Sequence, residues 1–279
     1  MRVARWIKVV LLALAVAIGV PGFWLVPASL KVRAVELPLP WPRAEPLRVA
    51  VISDLHVGSP YYGLARLPEI VDSINAAHPD LVCILGDFVT LGVIGGHQVP
   101  PEPIAAALRG LHSRVGTYAV LGNHDRKFNG PEVRHALEAA GIHVLEDTAV
   151  AVSTPGGPLW LAGVSDAWTG PHDVRRALAA VPNDGSPLLV LTHNPDIFPE
   201  IPPRALLTLA GHTHGGQVRL PLIGAPIVPS EFGQRYAAGE VIEGGRHLFV
   251  STGLGTSDIP IRLGVPPTIF ILTIRRPSG

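Results

Sequence analysis

One cysteine, Cys83, occurs in 279 residues, so neither an intrachain disulfide framework nor a cysteine-rich zinc module can form. It sits inside the apolar run Leu81-Val82-Cys83-Ile84-Leu85, where a thiol is expected to be buried and inert. Excess charge is missing as well. Lys+Arg and Asp+Glu both number 22, and a formal net charge of +0 leaves no basic footprint for phosphate backbones, so no nucleic-acid partner is expected. Charged residues make up only 16% against 47% hydrophobic residues, which excludes disorder as the overall state. Internal repeats and low-complexity segments are absent, and no motif indicates a protein partner. Histidine (12) and proline (29) are plentiful: the prolines predict many short connections, and the histidines invite a search for ligands.

One long uncharged run is present, Val9–Val26, 18 residues preceded by Arg2, Arg5 and Lys8. About 20 residues at 1.5 Å each cross a bilayer, so residues 1–26 are expected to form an uncleaved, single-pass N-terminal anchor. Pro21-Gly22 would kink it, with Trp6 and Trp24 at the two interfaces. The basic flank places the N-terminus in the cytoplasm and the remaining chain outside it, a bias that Lys31 and Arg33 reduce. A cleaved signal peptide ending near Val26-Pro27-Ala28 is the competing reading, and a buried core helix is the third. Residues 27–46, rich in proline, are expected to be an extended linker with little structure of its own, ahead of a folded domain at 47–279.

Within that domain, apolar β-branched runs alternate with helical periodicity. Strands are expected at 47–53, 80–86 and 116–122, and helices at 64–78, 101–111 and 130–141, which is the βαβαβα order of an α/β core. The second half is richer in strand: 142–145, 149–153, 159–164, 188–192, 206–210, 217–220, 247–251 and 268–274, with a helix near 173–180. So many strands predict two packed sheets.

Polar residues able to bind metal recur at the ends of these strands. Asp54-Leu55-His56 follows the first, Gly86-Asp87 the second and Gly122-Asn123-His124-Asp125 the third; His193-Asn194 and Gly211-His212-Thr213-His214 follow two later ones. In α/β sheets the crevice beyond the carboxyl ends of the strands is where ligands bind. Each fragment alone could be a turn or a cap. Five in order at strand ends point to a common site, and a shell of nitrogen and oxygen donors without thiolate suits Mn²⁺, Fe or Zn²⁺.

This ordered motif set resembles that of the calcineurin-like metallophosphoesterases over roughly residues 47 to 275. "LTHNPD", "GHTHGGQVRLP" and "IRLGVPPTIFILTI" further resemble a membrane-anchored phosphodiesterase branch. That branch includes cell-wall phosphodiesterases and UDP-2,3-diacylglucosamine pyrophosphatases of lipid A synthesis. It carries glutamate where this chain has Thr268, a departure that touches no metal motif. The resemblance implies a four-layer α/β/β/α sandwich and two divalent ions. One ion would take Asp54, His56, Asp87 and His214; the other would take Asp87, Asn123, His193 and His212. A water activated between the two ions would cleave a phosphodiester or pyrophosphate bond in a lipid-linked or cell-envelope substrate. His124 would stabilise the transition state or protonate the leaving oxygen, and Asp125 is placed to orient His124. Asn194 and Arg262 are candidates for substrate contact. A second-position role suits Asn194 better, and a surface position suits Arg262. The remaining histidines, at 78, 97, 112, 135, 143, 172 and 247, are expected to be solvated or structural. A broad phosphomonoesterase and a catalytically silent scaffold are the alternatives. An outward-facing domain would weigh against UDP-2,3-diacylglucosamine, which is made in the cytoplasm.

Overall fold

A computed structural model of the protein describes residues 2–154 and 157–277. Along the chain lie α1 (Arg2–Val20), β1 (Lys31–Pro38), β2 (Leu47–Ile52), α2 (Leu67–Ala76), β3 (Leu81–Ile84), α3 (Pro101–Leu108), β4 (Gly116–Ala119), α4 (Asn123–Ala139) and β5 (His143–Val144). There follow β6 (Thr148–Thr154), β7 (Gly157–Val164), α5 (Val174–Ala177), β8 (Leu188–Thr192), β9 (Leu207–Ala210), β10 (Gly239–Glu243), β11 (Arg246–Val250) and β12 (Thr268–Arg275).

The strands form two six-stranded sheets, ordered β1-β12-β2-β3-β4-β5 and β10-β11-β9-β8-β7-β6. Side-chain alternation explains how they stack. Val49 and Val51 of β2, Leu81 and Cys83 of β3, and Leu272 and Ile274 of β12 meet Leu161, Leu189, Leu191, Leu207 and Leu209 of the second sheet in one buried cluster. The opposite faces, Ala50, Ile52, Val82 and Ile84, pack on Ile70 and Ile74 of α2, Ile104 and Leu108 of α3, and Val133 and Leu137 of α4. Ala162, Val164, Leu188 and Val190 turn outward onto Ala177 of α5 and onto Ile197 and Phe198. The architecture is α/β/β/α, and the central strands β2, β3, β8 and β9 are largely apolar on both faces because each sheet is covered twice.

Several boundaries depart from the sequence reading. Residues 31–38 are not linker: β1 runs parallel to β12 in continuous register from Lys31↔Thr268 to Pro38↔Arg275, and Leu37, Leu39 and Trp41 are buried between the sheets. The prolines at 38, 40 and 42 suggested a linker, but they begin only where the edge strand ends, a place that tolerates them. The strand expected at 217–220 is a loop with two isolated bridges, Val218↔Leu263 and Leu220↔Gly224. The unforeseen β10 pairs with β11 across Gly244-Gly245, both with positive φ (56° and 75°), a turn only glycine closes easily. α4 starts at Asn123 rather than 130 and breaks at Asn129, where the Gly130-Pro131 step restarts it.

The apolar N-terminal run forms α1, whose described side chains are largely exposed, which sets aside a buried core helix. Its exit turn, Pro21–Leu25, touches the domain: Arg262 N donates to Gly22 O at 2.9 Å and the Tyr61 hydroxyl to Phe23 O at 3.0 Å.

Candidate metal centre

Parallel neighbours β2, β3 and β4 end side by side, and so do β8 and β9 in the facing sheet. Asp54, His56, Asp87, Asn123, His193, His212 and His214 leave those ends and are all buried in one place. Five of them, Asp54, His56, Asp87, His212 and His214, have left-handed backbones with φ of 52°, 41°, 57°, 71° and 52°. Asp and His tolerate this region better than most L residues, yet each such position costs on the order of 1–3 kcal/mol. Local hydrogen bonds hold them there. His212 N donates to both Asp54 oxygens (3.0 and 3.2 Å), His124 N to Asp87 Oδ1 (2.8 Å), and His56 N to Asp87 O (3.0 Å). Strain of this kind, gathered at one point, is what a ligand-holding site retains.

The donor atoms fall on two sides of Asp87. On one side His56 Nε2 lies 3.1 Å from His214 Nε2, and His214 Nε2 lies 3.5 Å from Asp54 Oδ1. On the other, His193 Nε2 lies 3.1 Å from Asn123 Oδ1 and 3.2 Å from His212 Nδ1. Asp87 Oδ2 is between them, 3.5 Å from His56 Nε2 and 3.3 Å from His193 Nε2. Three overlapping groups, Asp54/His56/His214, His56/Asp87/His124 and Asp54/Asp87/His193, keep their donor atoms within 4.8 Å of one another, close enough to hold a metal ion. The chemistry of these donors fits a cation. His193 Nδ1 is 2.7 Å from Leu85 O, which fixes a proton on that nitrogen and leaves Nε2 facing two oxygens and another imidazole nitrogen. Only positive charge among those atoms reconciles them.

Electrostatics agree. Burial pushes His56 down to about 3, and burial with neighbouring cationic groups holds His212 and His214 well below the usual imidazole range, so all three are neutral, the form that ligates. Burial raises Asp54 to about 6. Burial opposes charge on Asp87 too, but His193 and His56 outweigh it and hold its carboxyl well below the ordinary carboxylate range. Burial likewise opposes charge on His193, yet Asp87, hydrogen-bonded to it, lifts it to about 10. Without a cation the centre therefore keeps a proton on His193, which a metal bound through Nε2 would have to displace. Since that proton is held below about pH 10, apparent metal affinity is expected to rise about tenfold per pH unit between about pH 6 and 8. Calorimetry in two buffers of different ionisation enthalpy checks this; affinity flat across that range would contradict it.

Two other residues, Asp125 and Arg262, stand apart from their expected roles. Asp125 does not orient His124. Its carboxylate instead accepts the backbone N–H groups of Asp87 (2.7 Å), Phe88 (2.8 Å), Val89 (3.1 Å) and Gly122 (2.9 Å), clamping the Asp87 turn to the start of α4. Burial and nearby Asp87 raise its pKa to about 7 against those four donors. Arg262 is no surface residue: it is 0% exposed. Its guanidinium donates to the carbonyls of Gly255 (3.0 and 2.6 Å), Thr252 (3.0 Å) and Val265 (3.2 Å), and Nη2 stands 3.3 Å behind His214 Nδ1. Burial lowers Arg262 to about 10, which leaves it charged at neutral pH. Asn194 accepts from Asp196 N at 2.9 Å, which ties its own turn.

Two glycines permit the approach of the strand ends. A Cβ on Gly86, whose φ is +87°, would stand 2.5 Å from Gly122 N, and one on Gly122 would collide with Asp87 Oδ1 and stand 2.6 Å from Asp87 N. Gly122→Ala is expected to push Asp87 out of place, costing about 1–3 kcal/mol of stability and most of the metal affinity. Thermal unfolding with and without added Mn²⁺ checks both parts.

The centre opens into a cavity of about 490 Å³ lined by Asp87, Asn123, His124, His212, His214, Lys127, Trp168, Ile227 and Asp258 among others. His124 lies at its wall, its ring 4.6 Å from His56 and edge-on, with Nδ1 lacking a hydrogen-bond partner among the described residues. Burial lowers its pKa. Trp168, missed in the sequence, sets its ring 4.4 Å from His212, and Lys127 stands 5.9 Å from the Trp168 ring centre. The signal was there: Ser165-Asp166-Ala167-Trp168 follows β7, one more strand ending in polar residues. Of the remaining histidines, His143 stacks on Tyr118, while His172 and His247 pair with Glu200 and Glu240, each at 3.0 Å.

Residues 47–216 match the model of the calcineurin-like phosphoesterase family. The chain is 34% identical over 236 residues to the phosphodiesterase YaeI of Escherichia coli K12, covering 83% of each. It is 30% identical to the metallophosphoesterase YkuE of Bacillus subtilis 168, covering 82% of this chain and 79% of that one. A transmembrane protein with a metallophosphoesterase domain from Danio rerio is 28% identical and aligns with 95% of this chain and 62% of its own length. Motif order, sheet pairing and donor geometry lead to the same place as these similarities: the chain belongs to the calcineurin-like phosphoesterase family.

Proposed function

We propose that the protein is a membrane-anchored hydrolase of phosphodiester or pyrophosphate bonds in lipid-linked or cell-envelope substrates, dependent on two divalent ions. One observation carries this reading: Asp87 Oδ2 stands between His56 Nε2 and His193 Nε2 at 3.5 and 3.3 Å, a carboxylate oxygen shared by two nests of donors. Asp54, His56 and His214 with Asp87 would hold one ion; Asn123, His193 and His212 with Asp87 would hold the other. When bound, two such ions lower the pKa of a water and offset the charge of a phosphate. The chain's own residues supply the rest. Asp87 and His193 keep the two nests at a fixed separation, and Leu85 O holds the His193 ring in the tautomer that binds. His124, at the cavity wall with Nδ1 unpartnered among the described residues, gives a proton from its imidazolium form to the departing oxygen and is left neutral, the form its burial favours. Lys127 attracts the substrate's anionic group, and Trp168 shields the His212 side from water.

Membrane anchoring by α1, with the domain on the extracytoplasmic side, belongs to the same reading. The anchoring is supported by the exposed apolar length of α1 and by the likeness to relatives described as transmembrane; the side rests on the basic residues ahead of the run. A reporter fused after residue 279 and assayed on both sides of the membrane decides the orientation.

The test of activity uses full-length protein stripped by chelator and reloaded with Mn²⁺, Fe²⁺ or Zn²⁺. Bis(p-nitrophenyl) phosphate is expected to be cleaved in preference to p-nitrophenyl phosphate, with UDP-2,3-diacylglucosamine as the pyrophosphate arm. Preference for the monoester would make the protein a phosphomonoesterase. No metal-restored cleavage of any phosphoester would make it a silent scaffold.

A further inference from the structure

The two most exposed large apolar side chains of the domain, Leu222 and Ile227, share one loop. Leu222, Ile223 and Ile227 are 107%, 62% and 79% exposed, and all lie within residues 218–228, where Arg219 is the lone charge. The tip is fixed rather than loose: Leu220 N donates to Gly224 O at 2.8 Å and Gly224 N to Leu220 O at 3.0 Å, which holds Leu222 outward. Side chains held out of the core in this way, side by side, mark a contact surface.

Hydrogen bonds trace that loop back to the anchor. Arg219 N donates to Leu263 O at 2.7 Å, and the neighbouring Arg262 N donates to Gly22 O at 2.9 Å in the exit turn of α1. Exposed Phe23, Trp24 and Ile259 lie on the same connection. In the other direction, Ile227 lines the cavity that contains His124 and His212. The loop is thus tied by backbone hydrogen bonds to the exit of the N-terminal helix at one end and lines the mouth of the candidate metal centre at the other.

We propose that residues 218–228 insert into the interface of the leaflet that α1 leaves, so that the cavity opens at the lipid surface. Lipid is the occupant because this exposed apolar loop is tied to the anchor's own exit, and Arg219 supplies the cationic contact that anionic headgroups favour. A phosphoester carried on a lipid would then reach the centre without leaving the bilayer. The inference rests on the anchoring part of the reading above and is independent of whether the centre hydrolyses anything.

Full-length protein in vesicles of phosphatidylcholine and phosphatidylglycerol tests it. Native Cys83 is fully buried, so single cysteines introduced by Leu222→Cys, Leu12→Cys and Asp184→Cys accept an environment-sensitive fluorophore selectively. Labels at 12 and 222 are expected to be quenched by a lipid-borne quencher, and the label at 184 by aqueous iodide alone. Lipid quenching at 12 but not at 222 overturns loop insertion and leaves the anchor standing. Lipid quenching at neither overturns both. Concentration-dependent shielding at 222 in detergent without lipid quenching assigns the surface to a second copy and overturns the proposal. In a rate assay, Leu222→Glu combined with Ile223→Glu is expected to slow cleavage of a vesicle-borne lipid phosphodiester about tenfold while leaving bis(p-nitrophenyl) phosphate cleavage unchanged. Equal loss on both substrates overturns it.

Discussion

Asp87→Asn is expected to lower phosphodiesterase activity by more than about 10³-fold and to leave the purified protein unable to retain a full complement of ions. Asparagine is the informative choice. It preserves shape beside Gly122, which crowds the Asp87 carboxylate, and it tolerates the left-handed backbone at φ 57°. What it loses is the anionic oxygen between His56 and His193. A neutral amide offers one acceptor oxygen, and its NH₂ cannot ligate. His193 also loses the partner that lifts its pKa to about 10, so the ring becomes neutral more readily and the centre no longer holds opposed charges. The fold should survive, because the inter-sheet core does not include this residue. Circular dichroism and elemental analysis alongside the rate separate loss of ions from unfolding. A variant that keeps both ions and most of its activity would contradict the shared role of Asp87.

His124→Ala is expected to lower kcat by about 10²–10⁴-fold for a substrate with a poor leaving group, with both ions retained. Although one of its nitrogens lies within 4.8 Å of the donor atoms of His56 and Asp87, the ring stands at the cavity wall with Nδ1 unpartnered among the described residues and its backbone N–H on Asp87. A residue that protonates the departing oxygen matters little when that oxygen leaves readily. The loss on bis(p-nitrophenyl) phosphate should therefore be much smaller than on an alkyl phosphodiester, and the acidic or basic limb of the pH profile should change with it. An equal loss on both substrates, accompanied by loss of metal, would make His124 a ligand instead.

What the sequence discloses and what it hides can be traced to particular residues. The strand ends were legible because β2, β3, β8 and β9 are mostly apolar runs followed closely by residues able to bind metal, and parallel pairing carries all such ends to one side. The two sheets were legible from the number of short strands. β1 was hidden because exposed Lys31, Arg33 and Glu36 break its apolar pattern and its far end is crowded by proline. The turn of α4 back to Asn123 was hidden because Gly122-Asn123-His124-Asp125 has the composition of a β-turn. The role of Asp125 could not be read at all: its carboxylate accepts backbone donors at 87, 88, 89 and 122, and backbone donors have no sequence signature. Arg262 looked like a surface residue because arginine usually is one. Its burial depends on three carbonyls turned toward it by the 252–265 loop. The left-handed backbones at five donor positions were likewise invisible, although Gly86, Gly122 and Gly211 beside them marked places of close approach.

The most direct measurement is a crystal structure of the metal-loaded protein with anomalous scattering collected at the edge of the bound metal. Two anomalous peaks are expected, one among Asp54, His56 and His214 and one among Asn123, His193 and His212. Both should lie about 2.0–2.2 Å from oxygens of Asp87. No peak, or a single ion that does not touch Asp87, would contradict the account.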